Sequence, residues 1–105
     1  MGKPDTRRLD RAIQQTNRKL EAVRAREMWP LDGRERRAVA MAMTSGSYRV
    51  IKGRSTDAAD RRLESVWSAA ETRLIAEITA LHVERQRVVT EAAAAKAAKK
   101  SSRWW

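Results

Sequence analysis

From Thr56 to about Lys100 the chain runs without a proline or a glycine, and Trp67, Leu74, Leu81 and Val88 recur along it at a seven-residue spacing. Leu63, Val66 and Ala70 widen the stripe at its start, and Ile78 and Ala92 widen it further along. Apolar residues at this period form the seam of a helix laid along another helix. A helix of this length extends about 65 Å at ~1.5 Å per residue, more than a globule of 105 residues spans. Part of the rod must therefore meet a partner or stand in water. The seam drifts from Leu63 and Ala70 to Ile78, Arg85 and Ala92, as it does on a nearly straight helix rather than in a strict coiled coil.

Two shorter helices precede the rod. The first is expected over about residues 5–28, with Asp5 as N-cap and Pro30 stopping it. Leu9, Ile13, Thr16, Leu20 and Val23 form its seam, Thr16 being the one polar member. The second is expected over about 33–45. Asp32 and Glu35 stand at capping-box spacing, Trp29 and Leu31 are placed to staple the entry, and Gly46 reads as a left-handed stop. Tyr48 to Arg54 has strand-like composition but is too short for a sheet of its own, so it reads as an extended basic connector. The expected architecture is all-α: an antiparallel helical hairpin or three-helix bundle with one very long C-terminal helix (56–95) and a short extended basic loop before it. Residues 1–95 read as a single domain, and 96–105 as a basic extension ending in Trp104 and Trp105.

Charge is distributed unevenly. Residues 1–56 carry 14 basic and 6 acidic side chains, residues 57–95 carry 5 and 7, and the last ten residues add four cations. The long helix bears an acidic edge, with Asp57, Glu64 and Glu71 and then Glu77, Glu84 and Glu91 beside the seam. That edge complements an Arg-rich first helix packed antiparallel to it. Self-pairing neutralises only part of the excess, so basic surface is left over for an acidic partner.

Much chemistry is excluded. There is no cysteine, hence no disulfide, thiolate nucleophile or thiolate zinc site. His82 is the only histidine, and no carboxylate stands three or four residues from it to tune it as a general base. Asp57, Asp60 and Glu64 share a helical side, but Asp57 precedes Arg61 at ordinary ion-pair spacing, so no metal site is expected. No catalytic residues, cofactor or small-molecule substrate are expected either. No apolar run approaches the roughly 18–20 residues of a membrane span, and a signal-peptide core is lacking. The composition, Arg over Lys and rich in Ala, fits a bacterial, cytoplasmic protein.

Two function classes remain. The first is a nucleic-acid-binding accessory, DNA or RNA, gripping phosphates with little sequence readout. Its candidate contacts are Arg7, Arg8, Arg11 and Arg18 on the outward side of the first helix, Arg34 and Arg37 at the start of the second, and Arg49, Lys52 and Arg54 in the connector. Arginine grips phosphate bidentately, and Tyr48 between cations offers a stacking ring. The second is a helical interaction protein, an adaptor or assembly factor of the phage- or plasmid-accessory type, using Leu63, Trp67, Leu74, Ile78, Leu81 and Val88 as the seam for a homodimer or a helical partner. Its tail, Trp104 and Trp105, would serve for docking. A membrane surface is not the expected partner, because the Ala/Lys tract before the Trp pair is scarcely amphipathic.

Overall fold

The structure, a computed structural model, describes residues 4–102. Three helices make it up: α1 (Arg7–Arg24), α2 (Gly33–Ile51) and α3 (Asp57–Ser102). The molecule is a rod, 83 × 18 × 18 Å, and α3 with its 46 residues supplies about 69 Å of that length.

Helices α1 and α2 both lie along α3, and their backbones do not run beside each other. Their registers can be read from cross-links. On α1, Asp10 meets Arg85 and Arg24 meets Glu71; on α2, Glu35 meets Arg73 and Gly46 lies over Ala59. In both pairs the numbers rise on one helix as they fall on the other, so both short helices are antiparallel to α3. They occupy it in tandem, with the end of α1 and the start of α2 at the same level. The hairpin half of the expectation therefore describes each pair, whereas a bundle in which all three helices run side by side does not form.

The core sits where the two short helices meet. Leu20 and Val23 from α1, Leu31 from the link and Val39 from α2 enclose Trp67, Ala70 and Leu74 of α3, with Leu63, Val66 and Ile78 packed around them. Burying a side chain of this size contributes about 1.5–3 kcal/mol, so a few residues at one level hold the tandem together. Thr16, the polar member of the α1 seam, is buried and donates to the Ala12 carbonyl at 2.7 Å. Its hydroxyl is thus satisfied inside its own helix.

Each helix boundary has a local cause. Helix α1 stops at Arg24, short of the expected Met28. Arg26 adopts φ +62°, and the amides of Arg26 and Glu27 donate to the carbonyls of Val23 and Ala22, the two bonds of a Schellman motif. A non-glycine residue in this region costs roughly 1–2 kcal/mol. The Arg26 guanidinium offsets part of that by lying 5.6 Å from the centre of the Trp67 ring and donating to Glu64 at 2.5 Å. At the start of α1 the N-cap is Thr6, while the Asp5 carboxylate accepts from the Arg7 amide at 3.1 Å. Asp32 caps α2 with the full reciprocal box, its carboxylate accepting from Glu35 N–H at 2.8 Å and Glu35 accepting from Asp32 N–H at 3.0 Å.

The end of α2 corrects the sequence reading. Residues 46–51 are helical, so the extended basic connector is reduced to the turn 52–56. Gly46 does not stop the helix. It lies on the inner face with Ala38, Val39, Ala42 and Ser45, where small side chains let α2 approach Ala59. The stop is Gly53, at φ +67°, where Gly53 and Arg54 amides donate to Val50 and Arg49 carbonyls. Helix α3 likewise runs past residue 95 to Ser102, and from 93 onward its residues are exposed. That stretch is the basic extension, and it continues the helix. Trp104 and Trp105 lie outside the described residues.

Candidate nucleic-acid interface

The seam residues assigned to a partner are occupied within the chain. Trp67 and Leu74 are buried under α1, α2 and the link, Leu63 and Ile78 are packed against the same cluster, and Leu81 and Val88 are half-buried. The first four of these residues therefore belong to the chain's own core, while Leu81 and Val88 keep part of their surface.

Five of the seven acids of α3 are paired as well, and with arginines other than the candidate contacts. Arg24 donates to Glu71 at 3.0 Å and Arg26 to Glu64. Arg73 spans Glu35 and Glu77, donating to Glu35 through Nη2 at 2.9 Å and Nε at 3.2 Å, and to the Pro30 carbonyl at 3.3 Å. Glu35 and Glu77 together raise the pKa of Arg73. Arg85 donates to Asp10 at 2.7 Å. That bond, with the Thr6 hydroxyl, holds the Asp10 carboxyl below the usual range. Arg87 links Glu84 and Glu91, and its bond lowers the Glu84 pKa. The acidic edge thus pairs with α1 only at Glu71 and with the α1–α2 link at Glu64; the ion pairs of its far half are with cations of α3 itself, Arg8 adding only a nearby charge at Glu84.

This leaves the candidate cations largely unengaged. Arg7, Arg8, Arg11 and Arg18 are exposed on α1, as are Arg34 and Arg37 on α2 and Lys52 and Arg54 in the turn. Among the described residues, Arg7 alone of these has an ion-pair partner, Asp5, at 3.6 Å with both side chains largely in water. Such a pair is worth little and does not block another anion. Arg49 is different: it is half-buried and donates to the Ser55 carbonyl at 3.4 Å, so it braces the turn. Lys52 lies 5.8 Å from the Tyr48 ring centre.

The nine residues form three groups, not one cluster. The register places Arg7 and Lys52 about 50 Å apart along the rod at ~1.5 Å per residue. Within α1, Arg7, Arg11 and Arg18 follow four- and seven-residue steps and share a face. A linear array of this kind is suited to an extended polyanion, which offers one phosphate per ~3.4 Å of each strand.

His82 is exposed on α3. Asp60 accepts from Thr56 and Glu64 is held by Arg26, so two of the three carboxylates on the Asp57, Asp60, Glu64 side have local partners. Among the described residues no helix is long and apolar enough to cross a membrane. What the sequence alone does not show is the apolar character of the outer side of α2, because half of that side has the composition of a connector. Its signal was the run Tyr48, Val50, Ile51 after Met41 and Met43.

Comparison of the chain with protein-family models, with curated proteins and with solved structures finds no match.

Proposed function

We propose that the protein is a non-catalytic, bacterial-type cytoplasmic accessory that contacts nucleic acid through its phosphates, chiefly with the outward face of α1. The observation that carries this reading is the division of labour among the arginines. Arg24, Arg26, Arg73 and Arg87 take up five of the seven acids of α3 and Arg85 takes Asp10. Arg11 and Arg18 stay exposed without an ion-pair partner among the described residues, and exposed Arg8 acts on Glu84 only as a neighbouring charge. Keeping like charges together in this way costs self-repulsion, which an external polyanion relieves. Phosphate contacts of this kind position a protein but read no sequence, so binding should be strong at low salt and nearly indifferent to base order.

The test is a titration of labelled duplex DNA, duplex RNA and single strands at rising salt. Each phosphate contact contributes about 0.9 to the slope of log K against log salt on duplex DNA. Replacing Arg11 and Arg18 by Gln should therefore lower that slope by about 2 and weaken all sequences alike. Absence of micromolar binding at low salt, or a slope untouched by the double substitution, ends this reading.

A further inference from the structure

We infer that the outward face of α2, from Met41 to Ile51, docks an acidic amphipathic helix of a partner protein. A surface helix normally has one apolar stripe, and a helix that is apolar all round is buried. In α2 the inner face is filled by small residues, and only Val39 and Ala42 are buried. Its larger apolar side chains point the other way: Met41 is 73 % exposed, Met43 60 %, Tyr48 55 %, Val50 65 % and Ile51 80 %. On the helix, Met41 and Tyr48 stand seven residues apart on one edge, Met43 and Val50 on the other, and Ile51 lies between the edges. Neither α1 nor α3 covers them. The face extends about 15 Å at ~1.5 Å per residue, three turns of convex helix surface with two methionines, whose flexible thioethers adapt to a helix laid against them.

Charge selects the occupant. Exposed Arg34 and Arg37 border the face at one end, and exposed Lys52 and Arg54 at the other. The one acid within α2, Glu35, is engaged by Arg73. Two copies of α2 laid face to face would set cations against cations at both ends, which disfavours self-association. A nucleic acid would satisfy the cations, but its phosphate backbone gains nothing from Met41, Val50 or Ile51. A helix with aliphatic anchors at three- and four-residue steps and Asp or Glu along its borders satisfies both parts of the surface. The proposal is independent of the α1 reading, since it uses another helix.

The probe is a fluorescent synthetic amphipathic peptide with Leu anchors and Glu borders, compared with the same peptide carrying Lys borders. Both are titrated against the full chain, the double variant Met41→Gln/Ile51→Gln, and a labelled DNA duplex as competitor. Both substituted side chains are exposed, so the variant should keep its circular dichroism and melting curve. The expected result is micromolar binding of the Glu peptide, about tenfold weaker for the Lys peptide and for the variant, with duplex affinity unchanged by the variant. Equal binding of both peptides, or none, overturns the proposal. So does a parallel loss of duplex affinity, which would make the face a polyanion site. Light scattering that shows a wild-type dimer dissolved by the double substitution would assign the face to a second copy instead. The Arg11/Arg18 variant separates this outcome from the phosphate reading, because it should leave peptide binding intact.

Discussion

Replacing Gly46 by alanine distinguishes two structures of the same segment by the sign of one number. If residue 46 lies inside α2, as the structure has it, alanine removes the excess backbone freedom of glycine in the unfolded chain. The gain in a helix interior is about 1 kcal/mol. The added Cβ would stand 3.6 Å from the Cβ of Ala59, an ordinary van der Waals separation, so no repulsion cancels it. If residue 46 were instead the left-handed stop of a shorter helix followed by an extended connector, alanine would cost roughly 1–2 kcal/mol. The two arrangements thus differ by about 2 kcal/mol or more in the effect of one methyl group. For a chain of this size a gain of about 1 kcal/mol raises Tm by roughly 4–8 °C. Thermal and urea unfolding followed by far-ultraviolet circular dichroism would read it. The counterpart is Gly53→Ala, where φ is +67° and the expected change is a loss of about 1 kcal/mol or more. A Gly46→Ala protein that melts lower than wild type refutes the course of α2 from residue 46 onward and, with it, the exposed face assigned to Tyr48, Val50 and Ile51.

Two further outcomes test the cross-links. Arg73→Met removes the fork on Glu35 and the bond to the Pro30 carbonyl; unfolding should show a loss of about 1.5–3 kcal/mol, and Arg73→Lys should not restore it because one ammonium cannot span both carboxylates and the carbonyl. Asp10 titrates below its ordinary value of 3.8, and Glu84 below 4.5, so their folded pKa values are depressed. Their stabilisation is complete above those ordinary values and is lost as pH falls through the lowered ones. In Arg85→Met the carboxyl resonance of Asp10, followed by NMR, should titrate closer to 3.8; an unchanged midpoint would show that Arg85 is not the cause.

How far residues alone disclosed this fold varies along the chain. The α1 seam was legible because Leu9, Ile13, Leu20 and Val23 keep a single helical period, and the start of α2 because Asp32 and Glu35 carry a cap that works locally. The course of α3 was legible from the absence of any breaker. The end of α2 was not. Ser45-Gly46-Ser47 has the composition of a break and Tyr48-Ile51 that of a strand, but propensity is a weak prior that packing overrides. Here the need for small residues against Ala59 keeps the helix going until Gly53 can turn it. The end of α1 was missed for the opposite reason: Arg26 takes a conformation that its side chain does not advertise, held by Trp67 and Glu64 from α3. As to the candidate interface, exposure of Arg7, Arg8, Arg11 and Arg18 follows from the period of α1. Which arginines are spent on α3 depends on register. The sequence alone could not separate Arg24 and Arg26 from Arg18, or predict that Arg49 braces a turn.

The tandem placement of α1 and α2 has a consequence for how the rod opens. Each short helix is tied to a different stretch of α3, and they share only the junction around Val23, Leu31, Trp67 and Leu74. Detaching α2 from one end or α1 from the other exposes separate surfaces, so the two can come away as distinct local openings. Amide protons at the junction would exchange only when both have gone, and those of residues 93–102 would exchange almost as in a free helix. The rod is therefore a graded object in time, slowest to open at its middle, and both surfaces assigned to partners lie on the parts that can let go first.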